Sequence, residues 1–591
     1  MLGTYEYSDF PMDEATFGVK TGEFIPGHVV HEYLKKYAQH FGVYDRIRFE
    51  RKVESAERKP DGDHGWILTV SSATDIEGIG SKTSSKIHTR KLIIATGLTS
   101  EPFIPQLKGE SDFDAPIFHS KNFLDHADTI GTASSVVVLG SSKSAFDVAY
   151  AYAAKGVTVD LVIRASGHGP AWCAPPYVTP FRRWLEKLVN LRLLEPSAKR
   201  GHADGFAGVR KFLNKTFIGR KFISAFWAIL AGDVNSLNKY TSHPETAKLK
   251  PWQPVFGVGS GLCILNYPTD WFELVRSGKI RVHIADVSYL SDHTVHLSTG
   301  ASLKASALVC ATGWTHRPPL RFLPAGLDAE LGLPHFTSSP DEIGEAAEAE
   351  ILDRYPYLQS QDPSKTQQKP VPGSESDPAF INMPYMLYRF MVPAVDVLKD
   401  EPARDIGFSG MIMTISTPLC AQAQALWLTA YLDGKLTPRV VSVESRTAPL
   451  LSSSSSSLSS QDSTDSADSP AAIIDEKSGV TTTTTAATPN TDRPSSAASV
   501  PTQSDILWET QLHNRFGKWR YTAGHGALFP DFVFDAVPYL DMLLGDLGLR
   551  TRRKTGSFCS WREVLEPYGQ EDYRGLVGEW VGLQGTGKTD A

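Results

Sequence analysis

Cysteine is scarce in this chain of 591 residues: Cys173, Cys263, Cys310, Cys420 and Cys559 are odd in number, widely spaced and form no CxxC pair. That excludes a disulfide framework and offers zinc no ligand set. A basic excess is also missing, since 59 Lys and Arg face 66 Asp and Glu for a formal net charge of −7, which counts against a nucleic-acid partner. No stretch reaches the ~18–20 apolar residues that span a bilayer. The two nearest, FISAFWAILAG from Phe222 and GMIMTISTPLC from Gly410, read as buried helix or strand. The opening MLGTYEYSDFPMDE has neither the basic start nor the apolar centre of a signal peptide, so the expected setting is the reducing cytoplasm. Internal repeats of ~20–50 residues are absent, which excludes a solenoid.

What is present is ordinary globular composition, 41% hydrophobic and 21% charged, on a chain long enough for two to four domains. From about Ser445 to Gln503 a Ser/Thr-rich tract cannot bury enough apolar surface to offset its ordering entropy, and a disordered loop is expected there. Folded structure should resume with the Trp-, Phe- and Leu-rich residues that follow. A second break, between Pro324 and Phe380, reads as one acidic surface helix, PDEIGEAAEAEILDRY, followed by a polar surface excursion.

Elsewhere strand and helix patterns alternate. Val30, Tyr33, Leu34, Tyr37 and Phe41 recur at helical spacing, and KLIIATG is a short apolar strand. SSVVVLGSSKSAFDVAYAYAAKGVTVDLVIR gives strand, turn, helix and strand within about 30 residues, the βαβ unit of a parallel sheet. The fold class expected is α/β.

The turn of that unit is the first place with chemistry in it. Gly140, Ser141, Ser142, Lys143, Ser144 and Ala145 carry a strand into a helix, where small residues let a dinucleotide pyrophosphate approach free N–H groups and the positive end of the helix dipole. The spacing is that of GxGxxG/A, read here as Gly140, Ser142 and Ala145. Close packing without any ligand makes the same pattern. The following strand ends in Arg164, where NADP-binding folds place an arginine for the 2′-phosphate and NAD-binding folds an acid. NADPH is therefore preferred to NADH, against the alternative of a solvated surface arginine. The chain end, GLQGTGKTDA, has P-loop spacing from Gly582 to Thr589, but two residues cannot form the helix a P-loop requires; a flexible tail is expected.

Two Ala-Thr-Gly phrases, LIIATGLTSEPFIP with Thr96 and Gly97, and LVCATGWTHRPPL with Thr312 and Gly313, each close an apolar strand and lead into a proline-containing crossover. They bracket the βαβ unit. A nucleotide domain inserted into another domain leaves this signature.

Together these phrases resemble the flavin-containing monooxygenases. The resemblance covers most of the ordered chain and rests also on YSDFPM (Tyr7–Met12), HEYLKKYAQHFGVYDRIRFERKV (His31–Val53), ILNYPTDWFELVRSGKIRV (Ile264–Val282) and FDAPIFHSKNF. The last is similar to the family fingerprint FxGxxxHSxxY/F at Phe113, His119, Ser120 and Phe123, with Ala115 in place of glycine. Taken alone, His119 reads as a structural histidine. The resemblance implies an NADP domain inserted into an FAD domain, two Rossmann-like units, with Val53, Thr96, Gly97, Thr312 and Gly313 near the cofactors. It divides the chain into an FAD-domain part (1–100), an NADP domain (101–310) with a cap segment (about 167–259), an FAD-domain return (311–444), the Ser/Thr-rich loop (445–503) and a C-terminal part (504–591). The activity it implies is transfer of one oxygen atom from O2 to a small organic substrate in secondary metabolism, by epoxidation, hydroxylation or N-oxidation. The alternative is an NADP(H)-binding paralogue without flavin.

The family's first strand and GxGxxG do not occur in this sequence, so the resemblance implies a truncated FAD domain and weak FAD retention. In the cap, Arg182, Arg183, Lys187, Arg210, Lys211, Lys215, Arg220 and Lys221 read first as a solvated helix face and second as a peripheral membrane contact.

Overall fold

The computed structural model describes residues 1–60, 63–72, 84–178, 183–192, 207–259, 261–361, 381–400, 403–436, 501–554 and 561–586. Most of the Ser/Thr-rich tract and the polar stretch 362–380 lie outside the described residues.

Helix α1 (Gly27–His40) forms where helical spacing predicts it, yet it buries Val29 and Tyr33 while Leu34 and Phe41 face solvent. The Tyr33 hydroxyl sets that rotation: it donates to the Phe10 carbonyl at 2.6 Å and accepts the Tyr7 amide at 2.8 Å, so YSDFPM packs over the Tyr33 side. Strands β1 (Arg51–Arg58), β2 (Trp66–Ser72) and β3 (Ser85–Thr89) form an antiparallel meander. Strand β4 (Leu92–Ile94) follows and ends on the first Ala-Thr-Gly.

The chain then enters a parallel sheet with β5 (Ile117–His119), β6 (Ser135–Leu139), helix α2 (Lys143–Ala153) and β7 (Thr158–Ile163). After β8 (Trp172–Ala174), helices α3 (Ala207–Lys215) and α4 (Phe217–Asn238), and β9 (Leu262–Ile264), it returns through β10 (Ile280–Ile284) and β11 (Leu308–Cys310). The strand order is β10-β7-β6-β11-β5 and every pair is parallel. Val136, Val137, Val138, Val159, Leu161 and Val162 are wholly buried because both faces are covered, which is why these strands read as unbroken apolar runs. Each such side chain contributes about 1.5–3 kcal/mol through burial. The α/β class is confirmed.

In register, β8 and β9 place the Cys173 and Cys263 sulfurs 2.7 Å apart as buried free thiols. FISAFWAILAG falls in α4 as a helix, but its outer side chains Phe222 and Ile229 are exposed, so the burial expected from hydropathy holds for one face only.

Strand β12 (Arg321–Leu323) joins the meander beside β1, and the expected acidic helix is α5 (Glu342–Arg354). Beyond it come β13 (Ile406–Phe408), α6 (Thr417–Leu432), α7 (Gln503–Arg520), α8 (Ala536–Asp546) and α9 (Leu576–Thr586). Helix α7 begins within the tract expected to be disordered: Thr502 and Asp505 form a reciprocal capping box that starts it. Arg515 and Lys518 of α7 pair with Asp341 and Glu348, fastening α5 to it.

Wholly buried Arg389 ties this half together. It donates to Glu509 of α7 at 2.9 Å and to both oxygens of Asp546 of α8 at 2.7 and 3.1 Å, while Trp427 of α6 donates to Asp546 at 3.0 Å. Burial opposes the guanidinium charge, but the two carboxylates outweigh it and hold the Arg389 pKa above its ordinary value.

The tail expected to be flexible is a helix as far as Thr586, so Gly582 and Gly585 lie within α9 rather than in a phosphate loop. Residues 587–591 lie outside the described residues. We expect no ATP hydrolysis from the purified chain; an activity lost on Lys588→Ala would contradict this.

Candidate functional site

Two sets of parallel strand ends carry the site, as α/β folds place ligands beyond strand carboxyl ends. In the five-stranded sheet, Gly140 turns out of β6 at φ +152°, where a Cβ would lie 2.4 Å from the Ala311 carbonyl oxygen. Glycine is required because β11 passes so close. The chain continues through Ser141 and Ser142 into α2, and no side chain caps the helix. The exposed Ser142 and Ser144 leave its first turn open, so the residues present fit a pyrophosphate. Lys143 points elsewhere: its ammonium pairs with Asp147 one turn on and sits 4.7 Å from the Tyr267 ring centre. Ala145 is wholly buried against the sheet.

Arg164 lies half-buried just past β7. Burial draws its pKa down, while Asp286 nearby supports the charge. Asp286 is held in turn by the Ser166 hydroxyl at 2.7 Å.

The second set is the parallel pair β4 and β13, in register from Leu92 opposite Ile406 to Ile94 opposite Phe408. Beyond it Gly97 (φ +65°) and Gly410 (φ +79°) lie side by side: a Cβ on Gly410 would stand 3.8 Å from the Gly97 Cα, and one on Gly97 would meet nothing. With exposed Thr96 this forms an open backbone shelf that fits a flat cofactor. Ser409 and Gly410 were missed in the sequence. Their only signal was a short apolar strand ending in glycine, and its pairing with β4 spans more than 300 residues. Val53 sits on β1 of the antiparallel sheet, opposite Val70.

The two crossovers run side by side. The Phe103 amide donates to the Gly313 carbonyl at 2.9 Å, the Thr315 amide to Glu101 at 3.0 Å, and the Thr312 hydroxyl to the Phe103 carbonyl. The two crossovers thus meet at one place, the first leaving the β4–β13 pair and the second leaving the five-stranded sheet. An open cleft of about 370 Å³ lies here, lined by Lys121 and Phe123 of the fingerprint, Ser144 and Asp147 of α2, and Trp314. His119 is almost wholly buried: it accepts the Lys121 amide at 3.1 Å and packs edge-on against Trp314, and burial lowers its pKa.

Three further histidines went unremarked in the sequence. His316, three residues past Gly313, has its ring 4.3 Å from that of His525, whose amide donates to Asp531 at 2.7 Å. His168, in the loop after Arg164, also acts on His525. Burial is the main cause that drops the pKa of His168 and His316 to about 4 and that of His525 to about 3. All three are neutral at ordinary pH, and they link the Arg164 loop, the second crossover and the C-terminal part. Among the described residues no group of His, Cys, Asp and Glu is arranged to hold a metal.

Residues 15–172 match the L-lysine 6-monooxygenase/L-ornithine 5-monooxygenase family. Over 584 residues the chain is 30% identical to an FAD-dependent monooxygenase of Pyrenophora dematioidea, covering 93% of this chain and 88% of that protein. It is 29% identical to the FAD-dependent monooxygenase rstn6 of Aspergillus nomiae, covering 99% and 89%. Among solved structures, cyclohexanone monooxygenase from Rhodococcus sp. Phi1 bound to NADP+ aligns at 13% identity with a TM-score of 0.44, covering 73% of this chain and 74% of that one. The two FAD-dependent monooxygenase relatives favour the enzyme over the flavin-free alternative. With strand ends, glycine shelf and a likeness over 93% of the chain agreeing, the chain belongs to the fungal FAD-dependent monooxygenases.

Proposed function

We propose that this FAD-dependent monooxygenase takes its electrons from NADPH, with the pyrophosphate at Gly140–Ala145 and the 2′-phosphate on Arg164. The FAD is held by the shelf of Thr96, Gly97, Ser409 and Gly410 together with Val53, and Thr312 and Gly313 stand at the junction of the two sheets. Flavin, when bound, supplies the chemistry with O2. The chain's own task is to bind, orient and exclude water. His168, His316 and His525, buried and uncharged, suit a dry site that needs no resident cation. We assign residues 101–310 to the NADP domain and 167–259 to a cap that selects a small organic substrate, with epoxidation, hydroxylation or N-oxidation in secondary metabolism as the reaction class. No described helix is long and apolar enough to cross a membrane. We place the enzyme in the cytoplasm with a peripheral membrane contact through the cap.

The observation that carries this reading is the uncapped α2 start after Gly140 with an arginine, not an acid, closing the next strand. Arg164→Ala removes a charge-assisted contact to the 2′-phosphate, for an expected loss of about 1.5–3 kcal/mol, roughly tenfold to a hundredfold in NADPH affinity. NADH affinity should stay unchanged. Equal weakening of both cofactors in equilibrium titrations would show that Arg164 is structural and the NADPH assignment wrong.

A further inference from the structure

Helix α4 is apolar on opposite sides. Its inward stripe, Gly219, Ile223, Trp227 and Val234, is buried, and Trp227 is anchored edge-on to Phe256 at 5.4 Å and Phe534 at 4.9 Å. Its outward stripe runs Ile218, Phe222, Ala225 and Ile229 at positions i, i+4, i+7 and i+11, with Ile218, Phe222 and Ile229 exposed by 70%, 63% and 69%. Phe217 and, on α3, Val209 and Phe212 extend the patch. A surface helix of a globular protein should be polar on that side.

The corner of the hairpin is closely packed. At Gly219 the two helices approach so closely that a Cβ would lie 2.4 Å from the Phe212 carbonyl oxygen and 2.5 Å from the Leu213 Cα. Thr216 fixes the corner, donating to the Phe212 carbonyl at 2.7 Å and accepting the Gly219 amide at 3.0 Å.

Charge identifies the occupant. Between Asp204 and Asp233 there is no acidic residue, while Arg210, Lys211, Lys215, Arg220 and Lys221 fall in that interval of a chain whose net charge is −7. Lys211 and Lys221 are exposed beside the apolar tips, and the Lys221 ammonium lies 5.5 Å from the Phe217 ring centre, whereas Lys215 is paired with Asp353 of α5 at 2.7 Å. Lysine is depleted in protein–protein interfaces but enriched on helices that lie in the surface of anionic bilayers, where rings enter the acyl boundary and ammonium groups meet headgroups.

We propose that the α3–α4 hairpin docks the enzyme onto an anionic lipid surface, with Phe212, Ile218, Phe222 and Ile229 inserted and Lys211 and Lys221 at the headgroups. The inference deepens the membrane contact proposed above and rests on it.

The test uses the full chain with phosphatidylcholine vesicles, with and without about one-third phosphatidylserine. Cosedimentation should rise at least tenfold with phosphatidylserine and fall at least tenfold in two independent variants, Ile218→Glu with Phe222→Glu and Lys211→Glu with Lys221→Glu. All four side chains are exposed, so thermal midpoints and NADPH affinity in solution should be unchanged; NADPH affinity tests the enzyme assignment separately from docking. No vesicle binding by the unmodified chain would overturn both the membrane contact and the hairpin's role. Binding retained by both variants would overturn the hairpin alone. A dimer that the apolar variant dissociates, without vesicle binding, would assign the patch to a second copy of the chain and overturn the proposal.

Discussion

Replacing Arg389 by methionine is expected to destabilise the protein by about 3–5 kcal/mol, the usual effect of removing one partner from a buried ion pair. Methionine keeps much of the volume, so the loss is electrostatic: Glu509 and Asp546 would remain buried without their countercharge. The two carboxylates lie on α7 and α8, and Trp427 of α6 also donates to Asp546, so the change loosens three helices at once. Adding Glu509→Gln and Asp546→Asn to Arg389→Met should recover more than half of the loss, because neutral groups cost far less to leave inside. Denaturant unfolding of the single and triple variants measures both effects. A single-variant loss below about 1 kcal/mol would mean that the cluster takes up water and is not the clamp described here.

Acid should destabilise the protein through the three histidines. Their folded-state pKa values lie below the ordinary 6.5, at about 4 for His168 and His316 and about 3 for His525. Above pH 6.5 both folded and unfolded forms are neutral and these groups contribute no pH dependence. As pH falls below 6.5 the unfolded chain takes up protons that the buried rings refuse, so stability declines until pH passes the folded values. For His316 alone the loss by pH 4 is on the order of 3 kcal/mol. Charged neighbours act on the other two in opposite senses: Asp531 supports a charged His525 and tempers its shift, while Arg164 opposes a charged His168 and deepens its shift. His316→Asn, chosen because asparagine tolerates the left-handed backbone at this position (φ +51°), should flatten the decline of the thermal midpoint between pH 6.5 and 4. An unchanged slope would place the acid sensitivity elsewhere.

Much of this was legible in the sequence, for local reasons. The βαβ unit announces itself because strand, turn and helix are consecutive, and Val136–Leu139, Gly140 and Arg164 fall where their spacing predicts. The paired Ala-Thr-Gly phrases marked two strand ends, since a strand end followed by a proline crossover is written in a few residues. What sequence could not give were contacts between distant segments. Gly410 joins the shelf only because β13 pairs with β4, and His168, His316 and His525 converge from three separate parts of the chain.

Sequence by itself determined the alternation of strands and helices and the place of the glycine turn at Gly140, because each depends on side-chain size and period over fewer than about 30 residues. Tertiary structure alone decided which face of each apolar helix is inside. Hydropathy cannot distinguish the two sides of α4; only the packing of Trp227 against Phe256 and Phe534 turns Ile223 inward and leaves Ile218 and Phe222 to solvent. Packing elsewhere made Gly582 and Gly585 part of a helix, because Leu576 and Trp580 bury their side chains in the C-terminal core and carry the following residues with them.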